Sequence, residues 1–352
     1  MSGRWLDTTD AEAWRAALPA SRSAFGSVEF ARALERSGGP RGALLLAEAG
    51  GASCAWPFAL RDVSDLPFAA PDRATGALDA ATPPYTGPYV QHAGGVEELA
   101  LLADELDSAF ERRGVIADFT HLHPFAAAHG LASDPEPDRD IIWVDLRHDA
   151  ERLWRESYSK AARKNVRRAE REGVSVRPAT SDADIAEFHR IYRMTMERND
   201  ALRSYFFPLE RFLAIHEEMP QSSRFALAEQ NGKVVAATLY LHDDEDVYSY
   251  LGGADHSYQR VRPTNAVVHH TIEWARAQGK RRLILGGGYQ PGDGIFRFKA
   301  SFSAEFATLR LARRVHDRRA YDALVDAWRA HHGRDADPGE FFPAYRAEGP
   351  ER

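Results

Sequence analysis

The apolar positions of this chain switch repeatedly between two periods. Helical spacing over residues 10–18 and 27–37 comes first, with Ser27 where an N-cap belongs. GALLLAEA and ASCAWPFAL then read as two strands joined at Gly50-Gly51. Residues 62–94, rich in Pro, Gly and Ala, read as irregular loop. A helix over 96–113 leads into the strand VIADFTHL, and 132–140 reads as a surface crossing between domains.

After the short strand IIWVDL, helical spacing covers 153–171 and 184–199. RFALAEQ, the turn Asn231-Gly232, VVAATLYL, the acidic turn DDED and VYSYLGG predict an antiparallel meander. A helix over 264–278, the strand RRLIL, a short helix carrying Lys299, the strand ATLRLARRV and a helix over 318–332 complete the chain. The two halves repeat one order: helices, antiparallel strands, a helix, another strand. That is the order of the GNAT acyltransferase fold, so the expected class is α/β (α+β). It comprises two tandem GNAT-like domains, each a mixed, mostly antiparallel sheet flanked by helices. The boundaries read as 1–145, 146–316 and a C-terminal helix and tail, 317–352.

Composition narrows the function. Across 352 residues, 44% apolar content supports real cores, and a net charge of −7 argues against blanket nucleic-acid affinity, so a polyanion partner must meet a local patch. The single cysteine, Cys54, excludes a disulfide framework and lies in an apolar strand, a poor place for a nucleophile. The first residues hold no apolar signal core and no run reaches transmembrane length; the expected location is the cytoplasm, without integral membrane contact.

The chemistry concentrates in LILGGGYQPGDGIFRFKASFSAEF. If Asp293 caps the short helix, Ile295 and Phe302 share a face with Lys299, leaving its ammonium partly desolvated. The glycines 286–288, 292 and 294 lack the GK[ST] ending of a P-loop and read as tight turning. A second pattern is SYSKAARKNVRRAEREG. Lys160, Arg163, Lys164, Arg167, Arg168 and Arg171, at offsets 0, 3, 4, 7, 8 and 11, form one cationic helix stripe. Ala162, Val166 and Ala169 face inward. Unalternated cations favour contact with a phosphate-rich ligand. In YQRVRPTNAVVHH, where a GNAT enzyme carries its coenzyme A loop, no glycine appears and Pro263 removes a donor, though Arg260 and Arg262 remain as phosphate contacts. His121 and His123 have strand spacing but no third ligand, so no metal site is expected. No Gly-x-Ser-x-Gly elbow is present. Tyr248 and Tyr250 share a strand face and either line a groove or pack.

Taken together, five segments resemble the Fem-type aminoacyl-tRNA-dependent transferases: ATPPYTGPYV, SYSKAARKNVRRAEREGV, IYRMTMERNDALRSYFF, YSYLGGADHSYQRVRPTNAVVHHTIEWARAQG and LGGGYQPGDGIFRFKASF. The likeness is strongest over residues 150–310. The resemblance implies transfer of an amino acid from a charged tRNA to an acceptor amine on a peptidoglycan precursor or a peptide natural-product intermediate. It puts the charge-stabilising role of the Phe-Lys signature on Lys299, with Phe298 beside it. Acceptor phosphate or tRNA contact falls on Arg163, with Lys160, Lys164 and Arg167 as neighbours, and Tyr250 aligns with a site tyrosine. Tyr205 and Tyr85, in the third and first of these segments, join the expected substrate-binding set. The resemblance implies aminoacyl-tRNA as co-substrate with no further cofactor, and as partners charged tRNA, a peptide or nucleotide-linked amine and a carrier protein, but not DNA. The chain departs from the family in having no long helical hairpin and in its short Pro84–Pro88 loop, which leaves the acceptor open. An acyl-CoA-dependent N-acyltransferase and an inactive GNAT-like module that docks RNA or a carrier protein are the alternatives. For proton transfer from the amine, a carboxylate such as Asp293, water or the tRNA ribose could serve.

Overall fold

The computed structural model describes residues 3–19, 22–69, 76–91, 95–125, 131 and 135–349. Parts of the 62–94 loop and of the 132–140 crossing lie outside them.

Two compact units share the chain. The first takes residues 1–31, 38–138 and 309–352; the second takes 32–37 and 139–308. The strands are β1 (Arg4–Asp7), β2 (Arg41–Ala49), β3 (Ala52–Asp62), β4 (Leu78–Ala81), β5 (Tyr89–Gln91), β6 (Val115–Leu122) and β7 (Glu136–Asp145), then β8 (Ser175–Pro178), β9 (Ser223–Gln230), β10 (Lys233–His242), β11 (Asp246–Ala254), β12 (Arg282–Gly286) and β13 (Phe306–Val315). The helices are α1 (Ala11–Ala17), α2 (Val28–Arg36), α3 (Val96–Arg113), α4 (Lys160–Arg171), α5 (Asp182–Arg198), α6 (Leu209–Glu218), α7 (Pro263–Ala277), α8 (Gly294–Ala300) and α9 (Arg318–His332).

The first unit's sheet runs β1-β2-β3-β4-β6-β13, with β5 also on β3; the second runs β8-β9-β10-β11-β12-β7. Position for position these are the same sheet. Among the described strands each has one parallel pair, β4 with β6 and β11 with β12, with helix α3 or α7 between its strands in sequence. The expected class, two tandem mixed sheets that are mostly antiparallel, is what the chain forms.

The first unit's last strand, β13, comes from beyond the second unit's residues 139–308. β13 pairs antiparallel with β6 from Arg310↔Leu122 to Val315↔Ala117. Residues 317–349 pack into the first unit. Trp328 and Tyr345 are buried there, and Arg346 reaches the fully buried Asp79 at 2.7 Å, which Arg61 also meets.

Three local readings change. Residues 62–94 include β4 and β5 and are not all loop, and residues 136–140 are strand. The helix expected over 153–171 is broken. One turn, Ala150–Arg152, widens into a π-type turn, Leu153–Ser157, and α4 starts afresh because the Ser159 hydroxyl accepts from Ala162 N at 3.1 Å.

Candidate active site

The second unit opens where its parallel pair comes apart. β11 is bonded to β10 along its length, from Val247 to Ala254, but to β12 only over Asp246–Tyr248. Beyond Tyr248 the pairing ends, and residues 249–255 line a gap. The resulting cleft holds about 830 Å³ and is lined by β11, the start of α7, Leu285 and one face of α8. In the first unit a Thr86–Leu122 bridge and His123 N donating to Thr86 O at 2.7 Å close the corresponding gap.

Close backbone approach shapes the cleft wall. A Cβ on Gly253 would sit 2.2 Å from Thr195 Oγ1 and 2.8 Å from Ile191 O, so only glycine lets α5 lie on this strand. Thr195 Oγ1 uses the contact, accepting from Ala254 N at 3.0 Å.

Lys299 stands in this cleft. Asp293 builds its support: one carboxylate oxygen accepts from Phe296 N at 2.7 Å and starts α8, and the other accepts from Tyr289 N and Gln290 N at 2.7 and 3.1 Å. Gly288 is the residue that allows this, since a Cβ there would meet Asp293 Oδ1 at 2.3 Å. Those bonds hold the carboxyl below its ordinary range, so Asp293 is a cap and a poor proton acceptor. Lys299 Nζ donates to Gly287 O at 2.6 Å; burial lowers its pKa to about 8, against a smaller upward pull from Asp293. Phe298 also lines the cleft and packs edge-on against the buried Phe302 at 5.5 Å.

The opposite lip is the start of α7. Arg262, at φ 61°, caps it in left-handed conformation, and its carbonyl accepts from Asn265 N at 3.1 Å. Pro263 brings no N–H, so Thr264 carries the helix's first donor. Asn265 is buried within the lining and, among the described residues, its Nδ2 has no hydrogen-bond partner.

The other expected site residues disperse. Tyr250 lines the cleft, but Tyr248 does not: it is buried, its hydroxyl donating to Asp243 Oδ2 at 2.8 Å. A β-bulge separates them. Leu239 pairs with Leu251 and Tyr240 with Ser249, leaving Tyr250 as the extra residue, so the shared strand face is lost. Tyr205 sits outside the lining, 6.5 Å from Tyr289, which belongs to it. Arg262 lines the cleft and Arg260 does not. Tyr85 lies in the first unit, against Phe25 at 5.8 Å.

On α4, Ala162, Val166 and Ala169 are buried as expected, and Lys160, Arg163, Lys164, Arg167 and Arg171, but not Arg168, line a groove of about 510 Å³. Arg163 differs from its neighbours. Its Nη1 donates to the carbonyls of Trp154 (3.1 Å), Arg155 (3.0 Å) and Tyr158, stitching the π-type turn to the helix. Lys160, Lys164, Arg167 and Arg171 have no carboxylate within 4 Å among the described residues. The stripe begins beside the cleft, because Ser159 N donates to Ser301 O, just past Lys299, at 2.8 Å. Among the described residues, no group of three His, Cys, Asp or Glu could hold a metal, and no helix is long and apolar enough to cross a membrane.

With this geometry in hand, the chain can be placed among known proteins. Residues 156–300 match the family model described as an acetyltransferase (GNAT) domain. The structure is similar to that of FemX, with a TM-score of 0.63 and 13% identity over 92% of this chain and 99% of that one. It is also similar to a conserved protein of unknown function from Bacteroides thetaiotaomicron, with a TM-score of 0.57 and 12% identity over 89% of this chain and 99% of that one. A third likeness is to the C-terminal domain of a candidate lysylphosphatidylglycerol synthetase from Agrobacterium fabrum, with a TM-score of 0.53 and 15% identity over 91% and 96%. No curated protein matches the sequence. The fold is thus a Fem-like tandem GNAT fold, with its GNAT domain in the second unit.

Proposed function

We propose that this chain is an acyltransferase that moves an amino acid from aminoacyl-tRNA to an acceptor amine. The observation that carries the reading is Lys299: a half-buried ammonium in the open cleft, held on Gly287 O and flanked by Phe298. The amine nitrogen bonds to the ester carbonyl carbon, whose oxygen takes up the electron pair. Lys299 faces that charge, an effect on the order of 3 kcal/mol in a dry site. The C–O bond to the ribose then breaks, the ribose oxygen leaves with the electron pair, and the amine's proton passes to it directly or through water. An aminoacyl ester is already activated, so positioning and charge stabilisation suffice. Lys160, Lys164 and Arg167 are the phosphate contacts, whereas Arg163 shapes the turn that presents them. Tyr250 and Arg262 line the substrate path.

A second reading, transfer from an acyl-CoA, is favoured by one observation: the start of α7 and the unpartnered Asn265 Nδ2 meet in the cleft, an arrangement suited to a phosphate. Incubation with radiolabelled charged tRNAs and a panel of amines separates the two. RNase-sensitive product formation that Lys299→Met abolishes is the expected result. Turnover with acetyl-CoA and none with charged tRNA overturns the first reading in favour of the second.

A further inference from the structure

A second pocket, about 380 Å³, opens on a different face of α7, lined by Trp154, Tyr158, His269, Glu273 and Arg167 among others. Of its lining, the acyl-transfer reading uses only Arg167. Its wall is aromatic: the Trp154 ring lies 5.4 Å from both Tyr158 and His269, and the Arg167 guanidinium sits 5.3 Å above the indole. Indole and guanidinium planes are the surfaces on which unpaired bases stack.

The polar groups in the pocket form a relay. The Tyr158 hydroxyl meets His269 Nδ1 at 3.0 Å, and His269 Nε2 lies 3.6 Å from Glu273 Oε1. Burial pushes the Tyr158 phenol up, so it keeps its proton and can serve as the donor of this bond. With the phenol as donor, the ring hydrogen of His269 sits on Nε2. In that tautomer the pocket presents a donor, His269 Nε2–H, beside an acceptor, the Glu273 carboxylate. Arg167 also belongs to the groove of Lys160, Lys164 and Arg171, so the pocket continues into the cationic stripe.

We infer that this pocket seats a nucleobase whose pairing edge carries an exocyclic amino group beside an unprotonated ring nitrogen, as adenine and cytosine do, with the attached phosphates on the α4 stripe. The amino group donates to Glu273, the ring nitrogen accepts from His269, and the ring stacks on Trp154. Hypoxanthine and uracil present a carbonyl and a ring N–H at those places, so both contacts become repulsive. From Lys160 to Arg171 the stripe spans about 16 Å at 1.5 Å per residue, room for more than one phosphate. The nucleotide comes from a free pool or from a single-stranded RNA end; only its assignment to the aminoacyl donor rests on the function proposed above.

The test is calorimetric binding of matched RNA pentamers, oligo(A) against oligo(I) and oligo(C) against oligo(U), at one fixed salt concentration, with AMP and IMP as free-nucleotide arms. Each amino-bearing member should bind about tenfold tighter than its carbonyl partner. Glu273→Gln, at an exposed position, should abolish that preference, because an amide offers either a donor or an acceptor. Trp154→Leu should weaken all pentamers together. AMP binding as tightly as oligo(A) assigns a free nucleotide; much weaker binding assigns a strand. Equal affinity within each pair, or an undiminished preference in Glu273→Gln, overturns the inference. No acyl group takes part, so this result and the transfer assay stand or fall separately.

Discussion

Replacing Lys299 by methionine should make the protein slower and more stable at once. Burial lowers the lysine's pKa from 10.5 to about 8, which amounts to roughly 3 kcal/mol against holding the ammonium in the fold. The variant removes that penalty but leaves Gly287 O without its donor, a loss of about 1 kcal/mol. The net gain near neutral pH is about 2 kcal/mol, or several degrees in Tm. The folded chain binds this proton less tightly than the unfolded chain. Stability from this group is therefore greatest above about 10.5, declines as pH falls towards about 8, and is level below that. Methionine erases this slope. Turnover should fall about 100- to 1000-fold, as when one oxyanion donor is removed. Lys299→Arg supplies the pH control. In the native protein the cation is lost as pH rises through about 8, so the rate should decline there; arginine stays charged and should lack that limb. Calorimetric melting of the three proteins across pH, together with pH–rate profiles on one acceptor, tests both halves. A Lys299→Met protein that melts lower and turns over normally would refute the reasoning.

Other outcomes follow from the same geometry. Asp293→Ala should cut turnover and raise amide hydrogen exchange at Tyr289, Gln290 and Phe296, whose N–H groups lose their acceptor. Gly253→Ala drives a methyl into Thr195 and the Ile191 carbonyl and should cost about 1–3 kcal/mol in denaturant melts. On α4 the cations should divide. Lys164→Glu should weaken RNA binding and flatten its salt slope by about one or more phosphate contacts with Tm unchanged, whereas Arg163→Ala should lower Tm because three carbonyls lose their donor.

The sequence shows best what local chemistry decides. The Asp293 cap, the inward row Ala162-Val166-Ala169 and the Asn231-Gly232 hairpin each depend on neighbours within a few residues, so spacing alone reveals them. Tyr248 and Tyr250 misled because one extra residue in the β10–β11 ladder resets alternation, and an insertion of that kind leaves no compositional mark. Arg163 is indistinguishable from Lys164 until the π-type turn places three carbonyls around it. The Trp154–His269 pocket leaves no local signal because its walls lie more than a hundred positions apart, 111 for the Tyr158–His269 hydrogen bond. Strands β4 and β5, four and three residues long, fell below the length at which alternation can be read.

The crossed placement of β7 and β13 sets the order in which this polypeptide can mature. As the chain leaves the ribosome, the amino-terminal unit has an open edge at β6 until residues 310–315 have been made, so it cannot be finished before residues 139–308 of the second unit exist. Severing the gene near codon 145 would therefore give two fragments, each lacking a strand that the other encodes, and not two modules.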